Sequence, residues 1–441
     1  MKKAENIIEL YRNLNPFKPL DPHMDKDQFI NFYKNIIDDL RFQIIMGDIP
    51  QQTLYVTGQT GTGKTTALLF LPDETIEQDF ETINLMADEL FDLNDIDIID
   101  ILLRLSFELI EDHPKLQQTY TEELEKIKKK VEGRYEETLE NSAANKQNVG
   151  GSVGFGNGDG WKLGLHQMLS MIGVNVDFKA SLERDKSVRK VTREIFTFNK
   201  EDLKGMVNKI IHELEEIIAP KKVLLVFHNL ERLQDANQIN SLFVDNRQFL
   251  EQINCRKLIS GPVILTTNPK FMGETHVFSI KLDHYPEDKD LISKQTIDQN
   301  KANLKKVIES RIAEGANLIE PDAIELAIKL SGGIIRQFIY IVRNAAKRVA
   351  MYNKEGAISV NDIREGANQY AKNVLVSFKI TLDEQIAILR SVAKSPHPDV
   401  TEDHQDTLLQ LILGNQIIVR QNDRAWYVLN PLVAKAIELD D

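Results

Sequence analysis

The sequence predicts an α/β protein with an open sheet of parallel strands, followed by an α-helical domain and a small winged-helix-like domain. A short apolar strand at residues 54–56 runs into a glycine-rich loop and then a helix. Uninterrupted apolar runs at residues 223–227 and 263–265 are typical of central parallel strands, which are covered on both faces. After about residue 285, strand patterns give way to helical periodicity.

The glycine-rich loop follows the pattern G-x-x-x-x-G-K-[ST] across residues 58–65. Successive small residues before a helix leave backbone N–H groups free to bind an anion. Lys64 is expected to reach the β- and γ-phosphates of a nucleotide, and the hydroxyl of Thr65 to contact Mg²⁺. ATP and Mg²⁺ are therefore the expected cofactors. The predicted binding residues of the loop are Gly58, Gln59, Thr60, Gly61, Thr62, Gly63, Lys64, Thr65 and Thr66.

The composition is that of an ordinary soluble chain, and 441 residues are enough for roughly two or three domains. The formal net charge of −13 opposes general attraction to nucleic-acid phosphates, so a nucleic-acid partner is not favoured. The single cysteine, Cys255, fits a reducing compartment. No run approaches about 18 uninterrupted apolar residues. We therefore expect a cytoplasmic protein without a secretory signal or a membrane partner.

Residues 1–52 are predicted to form an extended segment followed by a helix. Prolines within residues 15–22 favour extended backbone, and apolar residues at helical spacing predict a helix over residues 27–46. Extended segments just before a phosphate loop often flank the nucleotide base. Pro16 and Phe17 are therefore candidates for contacts with adenine. The alternative, that Phe17 only anchors the segment to the core, stays open.

Residues 53–284 are predicted to form the α/β core. A helix is expected over residues 88–110, and the charged segment at residues 114–140 is typical of a solvated helix. The glycine-rich stretch at residues 148–164 predicts a flexible loop or hairpin tip, so we interpret the region from about 113 to 200 as an insertion. The expected strands are residues 54–56, 80–85, 223–227, 263–265 and 277–282.

The rest of the chain divides into a helical domain at residues 285–372 and a winged-helix-like domain at residues 373–441. From Asn373 onward, six basic residues stand against ten acidic ones, a balance that suits protein contacts better than DNA. Arg420 and Arg424 on the predicted wing leave DNA binding open. The expected helices are residues 288–314, 321–331, 335–352 and 360–372, and the expected wing strands are residues 417–420 and 426–429.

The order of these features resembles the AAA+ and STAND P-loop ATPases, especially their origin-recognition-like branch, over about residues 15–372. Residues 58–65 match the Walker A motif, and residues 223–233 lie where these proteins carry Walker B. The resemblance implies that the helical domain is a lid. It also implies that Arg336, in Ser-Gly-Gly-Ile-Ile-Arg, contacts the γ-phosphate, and that Asn268 is the catalytic polar residue after a core strand. The alternative for Asn268 is that it caps the turn before Pro269.

The segment after residues 223–227 departs from the family pattern. His228 and Asn229 occupy the acidic Walker B positions, and Glu231 is the nearest carboxylate. Mg²⁺ prefers oxygen ligands, and a neutral imidazole brings no negative charge. Asn229 cannot accept a proton from water, and loss of such a step typically costs about 10²- to 10⁴-fold in rate. We predict secure ATP binding with weak or absent hydrolysis, with Glu231 as the remaining catalytic candidate.

The function predicted from these features is an ATP-binding switch or regulatory ATPase that acts through a protein partner or as a homo-oligomer. The resemblance implies a role in a bacterial defence or conflict system. The alternatives are a DNA-associated loader or transposition regulator, and a ring ATPase. In such rings an arginine finger usually lies near residues 269–276, which contain only Lys270, so Arg247 and Arg256 are the remaining candidates.

Overall fold

A computed structural model describes residues 2–47, 49, 51–147, 182, 185–282, 294–352, 356–372, 383–398, 400–421 and 425–436. The predicted glycine-rich loop at residues 148–164 and the wing residue Arg424 lie outside the described residues. Among the helices within these ranges, none is both long and apolar enough to cross a membrane.

The core is a parallel sheet of five strands in the order β2-β3-β4-β1-β5. The apolar run predicted for β3 is buried on both faces, since each residue from Val223 to Phe227 is at most 1% exposed. Because the strands are parallel, their carboxyl ends meet at one edge, where the loop after β1 also lies. The strands are β1 (Thr53–Thr57), β2 (Phe80–Met86), β3 (Lys222–His228), β4 (Arg256–Ser260) and β5 (Thr275–Val277).

The strand predicted at residues 263–265 is wrong. Strand β4 is Arg256–Ser260, and Val263–Thr267 is a 3₁₀ helix that follows Pro262. The charged Lys257 interrupts the apolar pattern of β4, yet it is only 1% exposed, and its Nζ donates to the carbonyls of Ile253 and Cys255 at 2.7 and 2.9 Å. The strand was therefore not predicted, because a lysine that is buried and hydrogen-bonded to backbone carbonyls looks like a surface residue in the sequence. The fifth strand is also shorter than predicted and begins earlier.

Helices connect the strands of the sheet, and two helices precede β1. The helix predicted over residues 27–46 begins only at Lys34, after a short 3₁₀ turn at Lys26–Gln28, and the one predicted over residues 88–110 is two helices. The helices up to β4 are α1 (Ile7–Asn13), α2 (Lys34–Met46), α3 (Lys64–Leu69), α4 (Glu74–Asp79), α5 (Ala87–Leu90), α6 (Ile98–Glu111), α7 (Pro114–Gln147), α8 (Lys186–Phe196), α9 (Lys200–Ile218), α10 (Ala236–Asn240) and α11 (Arg247–Glu251).

The C-terminal third consists of the predicted helices and one small sheet. A turn at Gly332 and Gly333, both with positive φ, separates two helices of the helical domain. Strands β6 (Ile417–Gln421) and β7 (Ala425–Leu429) pair antiparallel. The predicted fold class, a parallel α/β core followed by a helical domain and a winged-helix-like domain, is confirmed. The helices are α12 (Lys294–Glu309), α13 (Pro321–Ser331), α14 (Ile335–Met351), α15 (Val360–Tyr370), α16 (Asp383–Lys394), α17 (Gln405–Leu413) and α18 (Pro431–Ala436).

Candidate phosphate-binding site

The loop between β1 and α3 has the backbone conformation of an anion cradle. Gly58, Gly61 and Gly63 have φ values of +144°, +90° and +91°, which side-chain-bearing residues rarely adopt. Gly63 is the residue that caps α3. The glycines of the predicted motif are therefore required by the turn itself, and Gly61 and Gly63 line the pocket that contains Lys64. Successive backbone N–H groups in such a turn suit a phosphate.

Lys64 lies at the centre of this site and is only 2% exposed. Its Nζ donates to the carbonyl oxygens of Gly58 and Gln59 at 2.9 and 3.0 Å, and lies 3.6 Å from Oε1 of Glu231. Burial lowers the pKa of Lys64, and the Glu231 carboxylate opposes that shift. Burial alone would raise the pKa of Glu231, but Lys64 and a hydrogen bond from Ser260 outweigh it and hold that pKa below its usual value.

Ser260, which the sequence did not single out, is the polar residue that the structure brings to the site from β4. It ends β4, and its hydroxyl donates to Oε2 of Glu231 at 2.8 Å. Asn268 was assigned to the end of a strand that does not exist. It is half-buried, its amide donates to Asn240 at 2.9 Å, and it does not line the pocket that contains Lys64. Ser260 therefore occupies the strand-end position that was expected for Asn268.

A chain of hydrogen bonds connects the loop, through Asn229, to α5, the short helix that follows β2. The hydroxyl of Thr65 donates to Oδ1 of Asn229 at 2.8 Å. The Nδ2 of Asn229 donates to Oδ1 of Asp88, whose other oxygen accepts from Arg232. Asn229 has a φ of +67°, a left-handed conformation that asparagine tolerates better than most residues. Asp88 and Arg232 were both missed by the sequence analysis, although each is close to a strand end.

His228 faces away from the loop. Its side chain is fully buried, Nε2 lies 2.8 Å from Oδ1 of Asn84 on β2, and Nδ1 has no hydrogen-bond partner among the described residues. The ring proton therefore belongs on Nε2, where it has an acceptor. Burial lowers the pKa of His228 to about 4, so the imidazole is neutral at physiological pH. His228 thus contributes neither charge nor a ligand to the loop.

Arg336 of the helical domain contacts the loop directly. Its backbone N–H donates to the carbonyl of Gly61 at 2.9 Å, and its Nε donates to the carbonyl of Pro16 at 3.2 Å. A Cβ on Gly61 would come within 2.8 Å of the Arg336 Cβ, so only glycine allows this approach. Burial lowers the pKa of Arg336. The structure therefore brings the predicted sensor arginine against the predicted phosphate loop.

One pocket joins the loop to the N-terminal segment. Both Pro16 and Phe17 line it, and Phe17 is 62% exposed with its ring centroid 5.9 Å from that of Tyr340 in an edge-on arrangement. This exposure favours the contact with a base over the role of a core anchor. Arg311, which the sequence did not indicate, lines the same pocket at 5% exposure, and burial lowers its pKa to about 10.

The C-terminal domain docks on the loop through Gln59, which is 3% exposed. Its Nε2 donates to the carbonyl of Ile412 at 2.6 Å and to Oδ1 of Asn415 at 2.7 Å, while its Oε1 accepts from the N–H of Val419 at 3.3 Å. Asn415 in turn donates to the carbonyl of Thr60 at 3.4 Å. Gln59, which occupies a variable position of the motif, is therefore part of the interface between the loop and the C-terminal domain.

The two arginines considered for a neighbouring subunit's site both have partners within the chain. Arg247 pairs with Glu251 at 3.1 Å. Arg256 donates to the carbonyls of Ile45 and Gly47 at 3.3 and 2.7 Å. Neither side chain is therefore an unpaired arginine that could reach the site of a neighbouring subunit.

No protein-family model matches this chain, and no curated protein matches it. Solved structures that match include Drosophila ORC bound to DNA, with a TM-score of 0.42 and 10% identity over 99% of this chain and 92% of that one. The Aeropyrum pernix ORC2 protein in its ADPNP-ADP complexes gives a TM-score of 0.44 and 11% identity over 97% and 95%. The Aeropyrum pernix ORC1 protein in complex with DNA gives a TM-score of 0.37 and 11% identity over 99% and 96%.

The residues present fit ATP and Mg²⁺. The glycine cradle and Lys64 suit phosphates, and Thr65 Oγ1 and Asn229 Oδ1 are the kind of oxygen that Mg²⁺ prefers. Within the described ranges, no group of three His, Cys, Asp or Glu side chains could hold a metal by itself. A magnesium ion here would therefore take most of its ligands from phosphate and water, which is its usual mode of binding to nucleotide sites.

Proposed function

We propose that this protein is an ATP-binding switch in which nucleotide at the phosphate loop controls docking of the C-terminal domain. The observation that carries the proposal is the bonding of Gln59. Its main-chain carbonyl accepts from Lys64 at 3.0 Å, while its side chain bonds to Ile412, Asn415 and Val419. A ligand that repositions the loop and Lys64 must therefore act on the interface as well.

The expected direction of coupling follows from Arg420. It is 2% exposed and donates to the carbonyl of Ile280, just after the core sheet, at 2.7 Å, and to the carbonyl of Gly332 in the lid turn. Docking thus needs core and lid close together. Nucleotide held between Lys64 of the core and Arg336 of the lid needs the same arrangement. ATP should therefore strengthen docking, and docking should strengthen ATP binding by the same factor.

Weak hydrolysis suits such a switch. Asn229 holds the position beside Thr65 and cannot act as a base, whereas Glu231 is committed to Lys64 and Ser260. Glu231 remains the candidate for any residual activity, because its carboxylate lines the pocket.

The test combines nucleotide analysis, turnover and hydrogen exchange. We expect purified protein to retain ATP, to turn it over slowly, and to lose nucleotide in Lys64→Ala. Added ATP should slow amide exchange in β6, and Gln59→Ala should abolish that effect. Gln51→Ala is the matched control, since Gln51 is exposed and its side chain donates to Asn254, away from the loop and the C-terminal domain. Fast Mg²⁺-dependent turnover, or amide exchange in β6 that does not change when ATP is added, would contradict the proposal.

A DNA-associated function has less support from this chain. Arg420, one of two wing arginines that left DNA binding open, is buried and bonded to backbone carbonyls. The partner of the proposed switch is expected to be a protein, and a role in bacterial defence or conflict rests on the family resemblance. Salt-sensitive binding of duplex DNA at nanomolar concentration would favour the loader alternative.

A further inference from the structure

Asn229 lies beside the Thr65 hydroxyl, where a P-loop protein would have a carboxylate, and it is bonded to Asp88. We propose that Asp88 is the positioning residue of the magnesium site. It orients the Asn229 amide and supplies, one hydrogen bond away, the negative charge that Asn229 lacks. The inference rests on the proposed function, because it concerns Mg²⁺ bound together with ATP at this loop.

The orientation of the amide follows from the chemistry of its two partners. An asparagine side chain can be turned so that either its oxygen or its nitrogen faces a given neighbour. An ionised carboxylate only accepts hydrogen bonds, so Nδ2 of Asn229 must face Asp88. Oδ1 must then face Thr65, at 2.8 Å from its hydroxyl oxygen. Two oxygens, Asn229 Oδ1 and Thr65 Oγ1, are thereby paired at the pocket, as a hard cation requires.

The position of Asp88 suits this role. It follows β2, whose last residue, Met86, pairs in register with His228 at the end of β3. Its side chain is 27% exposed and lines the pocket that contains Thr65. A carboxylate behind a ligating group typically contributes about 10- to 100-fold to metal affinity. The acidic group expected after β3 is thus replaced by one from α5, which follows the neighbouring strand.

The competing explanation is that Asp88 only forms a surface ion pair with Arg232. Their side chains are 27% and 29% exposed, and such pairs contribute little to stability. Such an ion pair would form whichever way the amide of Asn229 is turned. On this explanation, removal of the Asp88 charge would leave the effect of Mg²⁺ on nucleotide binding unchanged.

The test measures ATP affinity by calorimetry, once with Mg²⁺ and once with EDTA, on the full chain. Asp88→Asn should reduce the Mg²⁺-dependent gain in affinity by about 10-fold or more, with the EDTA value unchanged. The double variant Asp88→Asn with Asn229→Asp exchanges the carboxylate and the amide, and should restore the gain. Asn229→Asp alone places two carboxylates against each other and should bind Mg²⁺–ATP less well than the double variant.

Glu81→Gln is the matched control, because it removes the same charge from a surface ion pair, with Lys221, at a residue that does not line the pocket. It should keep the full effect of Mg²⁺. An unchanged effect in Asp88→Asn, an equal loss in Glu81→Gln, or no recovery in the double variant would each overturn the inference while ATP binding itself stands. Wild-type protein that binds no ATP under either condition would instead defeat the proposed function, and this inference with it.

Discussion

His228 makes the stability of the protein dependent on pH. Its pKa is lowered from 6.5 to about 4 by burial, so the unfolded chain binds a proton that the folded chain rejects throughout that interval. Stability is therefore present above pH 6.5 and is lost as pH falls. His228→Gln, which keeps a nitrogen near Asn84, should remove this contribution of about 2 kcal/mol between neutral pH and about pH 5.

Urea unfolding of the wild type and of His228→Gln at the two pH values measures this difference. The informative quantity is the change in unfolding free energy with pH, since any loss of packing in the variant is common to both conditions. Identical pH dependence in the two proteins would show that folding does not lower the pKa of His228.

Phe17 is expected to contribute to nucleotide affinity rather than to stability. Its ring is 62% exposed at the edge of the pocket. Stacking of a base on an aromatic ring typically contributes about 1–3 kcal/mol, so Phe17→Ala should weaken ATP binding by about 10-fold while the melting temperature stays constant. The matched control is Phe42→Ala, at 63% exposure on α2 and outside this pocket. A lower melting temperature with unchanged affinity would identify Phe17 as an anchor of the segment.

Sequence reasoning indicates those residues of the candidate site whose signal is local. The glycines, Lys64 and Thr65 lie in one motif because one turn must supply the whole cradle. Asp88, Ser260 and Arg311 come from three other elements, and only the strand order brings them to the loop. Short polar residues at strand ends are the signal that could have indicated Asp88 and Ser260. Arg311 carries no comparable signal.

The turn between α13 and α14 determines where Arg336 lies. Gly333 has a φ of +77°, and a Cβ there would lie 2.2 Å from the carbonyl oxygen of Ile280. Gly333→Ala should therefore separate lid from core and lower the unfolding free energy by at least about 2 kcal/mol, from the left-handed backbone and from overpacking. Chemical unfolding and ATP titration measure the two consequences.

Gly205→Ala provides the contrast. Gly205 lies in α9 with ordinary helical backbone, and a Cβ there would meet no atom within 4 Å. The substitution should raise stability by up to about 1 kcal/mol through helix propensity, without effect on ATP. Equal effects of Gly333→Ala and Gly205→Ala on the unfolding free energy and on ATP affinity would contradict the role of the turn between α13 and α14.

At the level of helices and strands, strong periodicity predicts well that an element exists and whether it is a helix or a strand. The residues at which the element begins and ends depend on single side chains. The helices of the lid lie close to their predicted positions because their apolar residues repeat over several turns. The wing strands do so because two short apolar runs flank a polar segment. Strand β4 was misplaced because Lys257 reads as a surface residue. Its burial depends on carbonyls of neighbouring turns, which a linear pattern does not reveal.

Across the whole molecule, the sequence predicts a division into domains but not how they contact one another. Gln59 stands at a variable position of the motif, and Arg420 reads as a basic wing residue. In the structure both are buried at the junction of core, lid and C-terminal domain. Contacts between Gln59 and Ile412 join residues 353 positions apart, a separation at which no local pattern is informative.

Arg420 is the residue that tests whether the three domains act as one unit. Arg420→Ala leaves the carbonyls of Ile280 and Gly332 without this donor, and each unsatisfied buried group costs about 1–3 kcal/mol. The C-terminal domain should undock, so that amide exchange rises in β6 and α17. Because docking and ATP binding are reciprocal, ATP affinity should fall by at least about 5-fold although Arg420 does not line the pocket.

Arg390→Ala supplies the comparison, since Arg390 is an exposed arginine on α16 of the same domain. It should change neither amide exchange nor ATP affinity. If Arg420→Ala releases the domain while ATP affinity stays at the wild-type value, docking and nucleotide binding are independent. The bonds of Gln59 would then serve only to hold the domains together, and the loop would bind ATP without reporting it. A fall in affinity confined to Arg420→Ala would instead mean that the domain interface and the phosphate loop share one equilibrium, as a switch requires.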